Sequence, residues 1–275
     1  MTTPRLQIAR FSVALAAELL LCAALNLFDD WSRAEMPVRF VIAAIGCGIA
    51  YLIAASAFPI FVSTRRQALL FWGVALALRL FALPLAPGDD FWRYQWEGKI
   101  QSAGFNPYVH APDDPALTET RAEFTAWPKI NHPHFRAIYP PGAELLFAGL
   151  SRVSESPLLY KALFAAADLA TAAVLLLLVS GAQRYASAAW YAWNPLVVYS
   201  FAGAAHFDSL MILPTMAGVL FLTRMENASS RQTQWLLASG AAVLFGIAIS
   251  IKLIPVLLLP LCVFALGRRC VVLAV

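Results

Sequence analysis

The sequence predicts an all-α, polytopic helical membrane protein. Of its 275 residues, 60% are apolar and only 13% are charged. Several nearly uncharged runs reach about 18 residues or more, which is the length that a transmembrane helix needs. A soluble domain of this size would expose far more charge. The net charge of +4 is small and scattered, so we expect contacts with membrane lipids and none with nucleic acid.

Apolar segments follow one another along the chain and predict about eight to ten transmembrane or re-entrant helices. They cover residues 8–28, 38–62, 66–86, 138–153, 158–180, 186–223 and 233–266. The first segment is longer than the core of a signal peptide and is predicted to be a retained helix. Residues 270–275 are predicted to begin a further helix that the chain cuts short.

Basic residues near the helix ends predict the orientation, because such residues collect in the cytoplasm. They form these clusters: Arg5 and Arg10, Arg65 and Arg66, Arg152 and Lys161, Arg224 and Arg231, Arg268 and Arg269. One large extracytoplasmic loop is then expected at about 87–137. For every basic cluster to lie in the cytoplasm, the segment 186–223 must contain a broken or re-entrant element. Asn194-Pro195 is the expected break, since proline removes a helix donor and constrains the preceding residue.

Two adjacent carboxylates, Asp89 and Asp90, open the aromatic and charged stretch that begins this loop. They could cap a helix or lie in a solvated connection. Their position at a membrane boundary favours a functional role instead. A carboxylate there can act as a general base or coordinate a cation.

Lys252 interrupts the last apolar segment, and the charge alternation places it near the outer face. It could extend its ammonium group to the membrane surface. We favour a second role, the binding of a phosphate group. His206 and Asp208 precede an apolar helix. Asp208 could cap this helix, or the two residues could belong to a functional site, and the sequence supports both alternatives equally.

The segment 131–141 carries His132 and His134 and ends in Tyr139-Pro-Pro, which is expected to direct the chain back into the bilayer. The two histidines could bind a metal, but no third ligand has a recognisable spacing. We therefore predict no metal and no cofactor, with a divalent metal as the minority alternative.

The order of these segments resembles that of a known family. An Asp pair is followed by Gly-x-Asn-Pro-Tyr, Tyr-Pro-Pro, Trp-Asn-Pro-Leu, Gly-x-x-His-x-Asp-Ser and Ile-Lys-x-x-Pro over residues 66–267. This order is similar to that of GT-C superfamily membrane glycosyltransferases that use polyprenyl-phosphate sugars. The chain resembles the bacterial polyprenol-phosphate-mannose-dependent mannosyltransferases and, more distantly, the catalytic subunit that adds the first mannose to GPI anchors.

The resemblance implies an inverting hexosyltransferase of the bacterial cytoplasmic membrane, with its active site on the extracytoplasmic side. A sugar, expected to be mannose, would pass from a polyprenyl-phosphate donor to an envelope glycan or lipid acceptor. The whole chain, 1–275, would be one membrane domain, with a GT-C-like core at 66–267 and additional helices at 1–62.

The resemblance also assigns roles to residues. Asp90 is the first choice for the general base and Asp89 the second, while Lys252 would bind the donor phosphate. The negative charge that develops on this phosphate needs a cation, and for this reason we add Arg93 as a second phosphate-binding residue. The expected substrate-binding residues are Tyr94, Tyr139, Asn194, His206 and Asp208. The main alternative is a transporter or flippase, because broken helices with nearby charges are also typical of transporters. A non-catalytic membrane subunit is a third alternative.

Overall fold

The computed structural model describes residues 4–267, which contain twelve α-helices and no strand. The helices are α1 (Pro4–Ala24), α2 (Met36–Ser56), α3 (Thr64–Ala82), α4 (Asp89–Ser102), α5 (Thr118–Ala122), α6 (Pro141–Val153), α7 (Pro157–Leu178), α8 (Arg184–Ala192), α9 (Pro195–Val198), α10 (Ser209–Glu226), α11 (Arg231–Ile251) and α12 (Leu259–Leu266). The predicted all-α class is confirmed. Arg268, Arg269 and the helix expected to begin at 270–275 lie outside the described residues.

Some of the described helices are long and apolar enough to cross a membrane. There are five such segments: Arg5–Phe28, Met36–Ser56, Pro157–Leu178, Ser209–Glu226 and Arg231–Ile251. On α2, Val41, Ile42 and Ile45 are all more than half exposed. A soluble protein buries most such side chains, so these surfaces suit a hydrocarbon environment. The chain is a membrane protein.

The two long apolar segments near the end of the chain are broken, as the sequence predicts. Helix α8 ends at Ala192, and the Asn194 side chain caps α9 by accepting a 2.9 Å hydrogen bond from the Leu196 N–H. A π-helical turn, Tyr199–Gly203, follows before α10. Further on, α11 ends at Ile251, and Lys252 is extended, with φ −152° and ψ 140°.

Helix α6 differs from the long apolar helices. Its 13 residues span about 20 Å at 1.5 Å per residue, whereas the hydrocarbon core of a bilayer is about 30 Å thick. It begins directly after Pro140 and buries Glu144 together with Phe147. The apolar run 138–153 therefore forms a short amphipathic helix. This helix belongs to the same unit as the polar region that begins at Gly88.

The described residues form two compact units. The first unit comprises the chain up to Pro87 together with Phe164–Ala205, and the second comprises Gly88–Leu163 together with the chain from His206 onward. The boundary in the middle of the chain falls within α7.

The first unit has a large apolar core that contains one ion pair. The core includes Phe71 and Trp193, and the Trp193 indole donates a 3.1 Å hydrogen bond to the Phe71 carbonyl. The Arg79 guanidinium lies 2.6 Å from the Asp168 carboxylate, and both side chains are almost fully buried. Arg79 also donates to the carbonyls of Ala75 and Ala192. The pair is thus enclosed and hydrogen-bonded by its own unit.

The second unit is held together by close backbone contacts of α6. A Cβ atom on Gly98 of α4 would overlap the backbone of Phe147, and one on Gly142 would overlap Ser250 at the end of α11. Only glycine permits such an approach. These contacts fix α4, α6 and the end of α11 to one another, and they position the polar side chains described next.

Candidate functional site

The two adjacent carboxylates lie in the first turn of α4, directly after the extended residue Gly88. Negative charge is stabilised there by the partial positive charge of the helix N-terminus. Asp90 is half-buried, and its Oδ1 accepts a 2.8 Å hydrogen bond from the Asn131 amide, whereas Asp89 is exposed. Asp90 is therefore the carboxylate with a fixed position.

Asp90 lines a small polar cavity of about 160 Å³. The residues around it are Asp90, Arg93, Glu97, Asn131, His132, Phe135, Arg136, Ile138 and Tyr139. At about 30 Å³ per water molecule, this volume corresponds to roughly five waters. The cavity can therefore hold a polar group next to the carboxylate.

Arg93 ties α4 to the loop that covers this cavity. Its Nε lies 2.6 Å from Glu97 Oε1, its Nη1 donates to the His132 carbonyl at 3.1 Å, and its Nη2 donates to the Phe135 carbonyl. Every nitrogen of the guanidinium is thus engaged within the protein, so Arg93 holds the loop while its positive charge faces the cavity.

Tyr94 and Tyr139 belong to an aromatic cluster beside the cavity. The Tyr94 ring stacks on Phe147 with 4.8 Å between centroids, and both tyrosines meet Phe207 edge-on at 5.1 and 5.2 Å. Burial raises the pKa of both phenols, so both are neutral hydrogen-bonding groups. The negative charges of Asp90 and Asp208 both act on Tyr94, which shows that this cluster connects the two acidic segments.

Lys252 forms an ion pair with Asp208. The Lys252 ammonium contacts Asp208 Oδ1 and lies 5.4 Å from the centroid of the Phe207 ring. The Asp208 side chain makes no capping hydrogen bond to α10, so its carboxylate binds Lys252 and does not cap the helix. About a third of each charged side chain is exposed, which leaves the pair open to a ligand.

His206 and Asn194 are placed differently from the other predicted residues. His206 is half-buried, follows Ala205 in the left-handed conformation (φ 62°), and makes no hydrogen bond to the described part of the chain. Asn194 belongs to the first unit, where its side chain caps α9. The second unit thus brings together Asp89, Asp90, Arg93, Tyr94, Tyr139, Asp208 and Lys252, together with His206.

The sequence interpretation missed a buried pair of carboxyl groups, Glu97 and Glu144. Arg93 binds one oxygen of Glu97, and Gln101 Nε2 donates to Glu144 Oε2 at 3.1 Å. The remaining oxygens, Glu97 Oε2 and Glu144 Oε1, are buried without another donor. The two side chains hydrogen-bond to each other, so one carboxyl group must carry a proton.

Both groups of this pair prefer the protonated form more than an exposed glutamate does. Burial, followed by the negative charge of Glu97, raises the pKa of Glu144 to about 9. Burial also raises the pKa of Glu97, against the opposing effect of Arg93. The helical spacing of Arg93 and Glu97 was visible in the sequence, but the approach of Glu144 depends on the packing of α4 on α6.

Comparison with known protein families identifies the activity. A family model of the MptA_B family, described as alpha-(1->6)-mannopyranosyltransferase, N-terminal domain, matches residues 8–268. The chain belongs to this family. The resemblance inferred from the sequence is thereby confirmed. The match begins at residue 8, so the matched region includes the first two helices as well as 66–267.

This mannosyltransferase family implies a sugar donor and a glycan acceptor. Glycosyl transfer of mannose is accordingly supported over transport or a purely structural role. Neither the curated proteins nor the solved structures that were searched gave a match.

Proposed function

We propose that this chain transfers mannose, with inversion, from a polyprenyl-phosphate donor to an envelope glycan or lipid acceptor, using Asp90 as the general base. The observation that carries this proposal is the position of Asp90. Its carboxylate is fixed by Asn131 at a polar cavity, and its unit also holds the Lys252–Asp208 pair. A base and a phosphate-binding cation are the two groups that this reaction requires.

Asp90 activates the acceptor. A sugar hydroxyl is a weak nucleophile until its proton is removed as it attacks. Because Asp90 Oδ1 is occupied by Asn131, Oδ2 takes the proton. The acceptor oxygen forms its new bond to the anomeric carbon of mannose, and the bond from that carbon to the phosphate oxygen breaks. The electron pair of the broken bond remains on the lipid phosphate.

Lys252 stabilises the departing phosphate. Its ammonium group is partly exposed and is held by Asp208, so a phosphate oxygen can approach without the lysine first becoming ordered. A positioned cation of this kind lowers the energy of a transition state in which negative charge develops. Arg93 positions the loop and adds positive charge to the Asp90 cavity, and its N–H groups that are not bonded to the protein are proposed to contact the donor phosphate.

The remaining predicted residues bind the sugars. Tyr139 lines the Asp90 cavity and Tyr94 packs beside it, so both can border the transferred or accepting sugar. His206 retains its hydrogen-bonding capacity and is proposed to bind a hydroxyl group. Asn194 has a structural role as a helix cap. We propose that no metal or other cofactor takes part.

We place the reaction on the outer face of the bacterial cytoplasmic membrane. Arg65 and Arg66 begin α3, and the charge rule places this end in the cytoplasm. In this proposal α3 crosses the membrane in addition to the five longer apolar segments: its 19 residues are about 28 Å long, so the chain that follows α3 would continue to Gly88 on the opposite side. A lipid-linked donor suits this location.

The proposal is tested by mannose transfer in membranes that contain equal amounts of each variant. Asp90→Asn is expected to lower transfer from polyprenyl-phosphate mannose by about 100-fold or more, as for loss of a general base. Asp89→Asn should retain most of the activity because its side chain is exposed and does not line the cavity. Asp113→Asn, an exposed carboxylate elsewhere in the same loop, is the matched control.

A nucleotide-linked mannose donor, tested in parallel, should give no incorporation. Full activity of Asp90→Asn would remove this carboxylate from the mechanism. Efficient use of the nucleotide-linked donor would overturn the assignment of the donor.

A further inference from the structure

The second unit contains a larger polar groove that the proposed chemistry leaves unused. Its volume is about 470 Å³, within the range of about 300–1,000 Å³ that is typical of small-molecule sites. The side chains around it belong to the end of α4, the segment after it, and α6: Gln101, Gly104, Phe105, Asn106, Pro107, Tyr108, Pro141, Glu144, Leu145, Ala148 and Arg152. We call it the α4–α6 groove.

The polar side chains of the α4–α6 groove are planar and carry several hydrogen-bonding atoms each. They are the amides of Gln101 and Asn106 and the guanidinium of Arg152. Glu144 also borders the groove, but its carboxyl group is buried, and the Gln101 NH2 group is bonded to Glu97 and Glu144, which leaves the Gln101 carbonyl oxygen as an acceptor. The Asn106 Oδ1 accepts from the Tyr108 N–H at 2.9 Å, which leaves its NH2 group available. Arg152 is exposed and makes no hydrogen bond to the described residues. Planar groups of this type can bind two neighbouring hydroxyl groups at once.

An aromatic ring forms part of the same groove. Tyr108 is 38% exposed, and its hydroxyl donates a 2.6 Å hydrogen bond to the Tyr139 carbonyl. Tyr108 is thus held by hydrogen bonds at its backbone N–H and at its hydroxyl, so little side-chain entropy remains to be lost when a ligand binds. The face of an aromatic ring is electron-rich, and it suits the weakly positive C–H groups on one face of a pyranose.

The groove adjoins the Asp90 cavity through two contacts. Tyr139, which accepts the hydrogen bond from Tyr108, also lines the Asp90 cavity. Glu144 in the groove is hydrogen-bonded to Glu97 in the cavity. The two spaces are therefore neighbours, and a chain of linked sugars could extend from one to the other around Tyr139.

We infer that the α4–α6 groove binds a non-reacting hexopyranose residue of the acceptor glycan while another residue of that glycan lies at Asp90. This inference rests on the function proposed above. Acyl chains would desolvate the amides and the guanidinium without satisfying them. A phosphate group would meet a single arginine and no second cation among the lining residues, whereas sugar hydroxyls can pair with donors and acceptors alike.

The inference predicts how the enzyme responds to the length of its acceptor. Wild-type enzyme should show a lower acceptor KM for an alpha-(1->6)-linked mannose trisaccharide than for methyl mannoside, because only the longer ligand reaches the groove. Tyr108→Ala and Arg152→Ala should each raise the trisaccharide KM by about tenfold, the typical effect of losing one good contact. The KM of the lipid donor and the KM for methyl mannoside should stay unchanged.

Glu123→Ala is the matched control, because Glu123 is exposed in the same loop region but does not line the groove. It should leave every kinetic constant unchanged. An equal trisaccharide KM in wild type, Tyr108→Ala and Arg152→Ala would overturn the inference. So would an effect of these variants on the donor KM alone, which would assign the groove to the donor.

A binding measurement separates this inference from the proposed catalytic mechanism. Isothermal titration of the purified full chain with the trisaccharide, without donor, should give the same Kd for wild type and Asp90→Asn. Tyr108→Ala should bind about tenfold more weakly. If Asp90→Asn retains transfer activity, the proposed base is wrong, but the Kd of the trisaccharide still tests the groove. If Tyr108→Ala binds as tightly as wild type, the groove assignment is wrong even where Asp90 is essential.

Discussion

The two units each contain an ion pair, and the pairs differ in their surroundings. Arg79 and Asp168 of the first unit are almost fully buried, and the guanidinium also binds two backbone carbonyls. Lys252 and Asp208 of the second unit are about one-third exposed and make a single contact to each other. An arginine whose donors are satisfied fixes a fold, whereas a lysine with spare donors and access to ligands can change partner. The enclosed Arg79–Asp168 pair therefore serves the fold, whereas the open Lys252–Asp208 pair can serve a ligand.

The largest effect on stability is expected from breaking the enclosed pair. Arg79→Met leaves the Asp168 carboxylate buried without its partner, which typically costs about 3–5 kcal/mol. The amount of folded protein in detergent and its thermal unfolding temperature should fall sharply. The double variant Arg79→Met, Asp168→Leu removes both charges and should recover much of that loss. A single variant as stable as wild type would contradict the structural role.

The open pair should respond in the opposite way. Lys252→Met is expected to change stability by less than about 1 kcal/mol, as for other partly exposed ion pairs. The transfer rate should fall by about 100-fold, the typical effect of losing one group that stabilises developing negative charge. Thermal unfolding and mannose transfer, measured on the same preparation, distinguish the two effects. A stability loss as large as that of Arg79→Met would show that the two pairs are alike.

The carboxyl pair of the second unit predicts a dependence on pH. The pKa of Glu144 is raised from 4.5 to about 9 in the folded protein. A raised pKa contributes stability that is fully present below the unfolded value and is lost as the pH rises through the folded value. Stability should therefore decrease between about pH 4.5 and 9 in wild type.

Glu144→Gln is the variant that checks this cause. The glutamine amide can donate to Glu97 at any pH, so its unfolding temperature should depend less on pH, and it should exceed that of wild type most clearly at pH 9. Parallel pH dependences in the two proteins would show that the pair is not responsible. Glu123→Gln, an exposed change, serves as the control.

The smallest effect is expected at Asn194. Loss of an N-cap side chain costs about 1 kcal/mol, so Asn194→Ala should lower the unfolding temperature slightly. Asn194→Asp retains an oxygen that can accept from the Leu196 N–H and should restore stability. Because its side chain serves the first unit, the acceptor KM and donor KM should remain those of wild type. An increased substrate KM would instead support the substrate-binding role that the sequence suggested.

The helical class and the broken segments could be inferred from local patterns, and Asp90 and Lys252 fall in the same unit. Long apolar runs predict helices, and Asn194-Pro195 and Lys252 marked real helix ends. The short length of α6 was hidden because its apolar residues merge with Ile138 and Tyr139 into one run. Proline at its start limits the helix to 13 residues.

Contacts between distant parts of the chain could not be inferred in this way. Arg79 and Asp168 are 89 residues apart in sequence, and no periodicity links them. Glu144 looks like an ordinary first-turn acid until α6 packs on α4. Arg93 carries long-range contacts that its sequence position does not show, because three of its five N–H groups bind Glu97 and the loop carbonyls of His132 and Phe135. Such pairings depend on tertiary packing, which a single sequence does not display.

The glycine contacts of α6 have a consequence for engineering. Gly98 and Gly142 hold α4, α6 and the end of α11 at backbone distance, so these three elements form a frame. The loop between α4 and α6 packs on this frame through Leu117, Phe124 and Ile130, which are buried against α4. We expect residues 103–136 to be exchangeable for the corresponding loop of another family member, with the frame still folded, when the new loop keeps apolar residues at the positions of Leu117, Phe124 and Ile130. Such chimaeras, scored by their unfolding temperature and by the glycans they elongate, would turn one mannosyltransferase into a panel of enzymes with different acceptors.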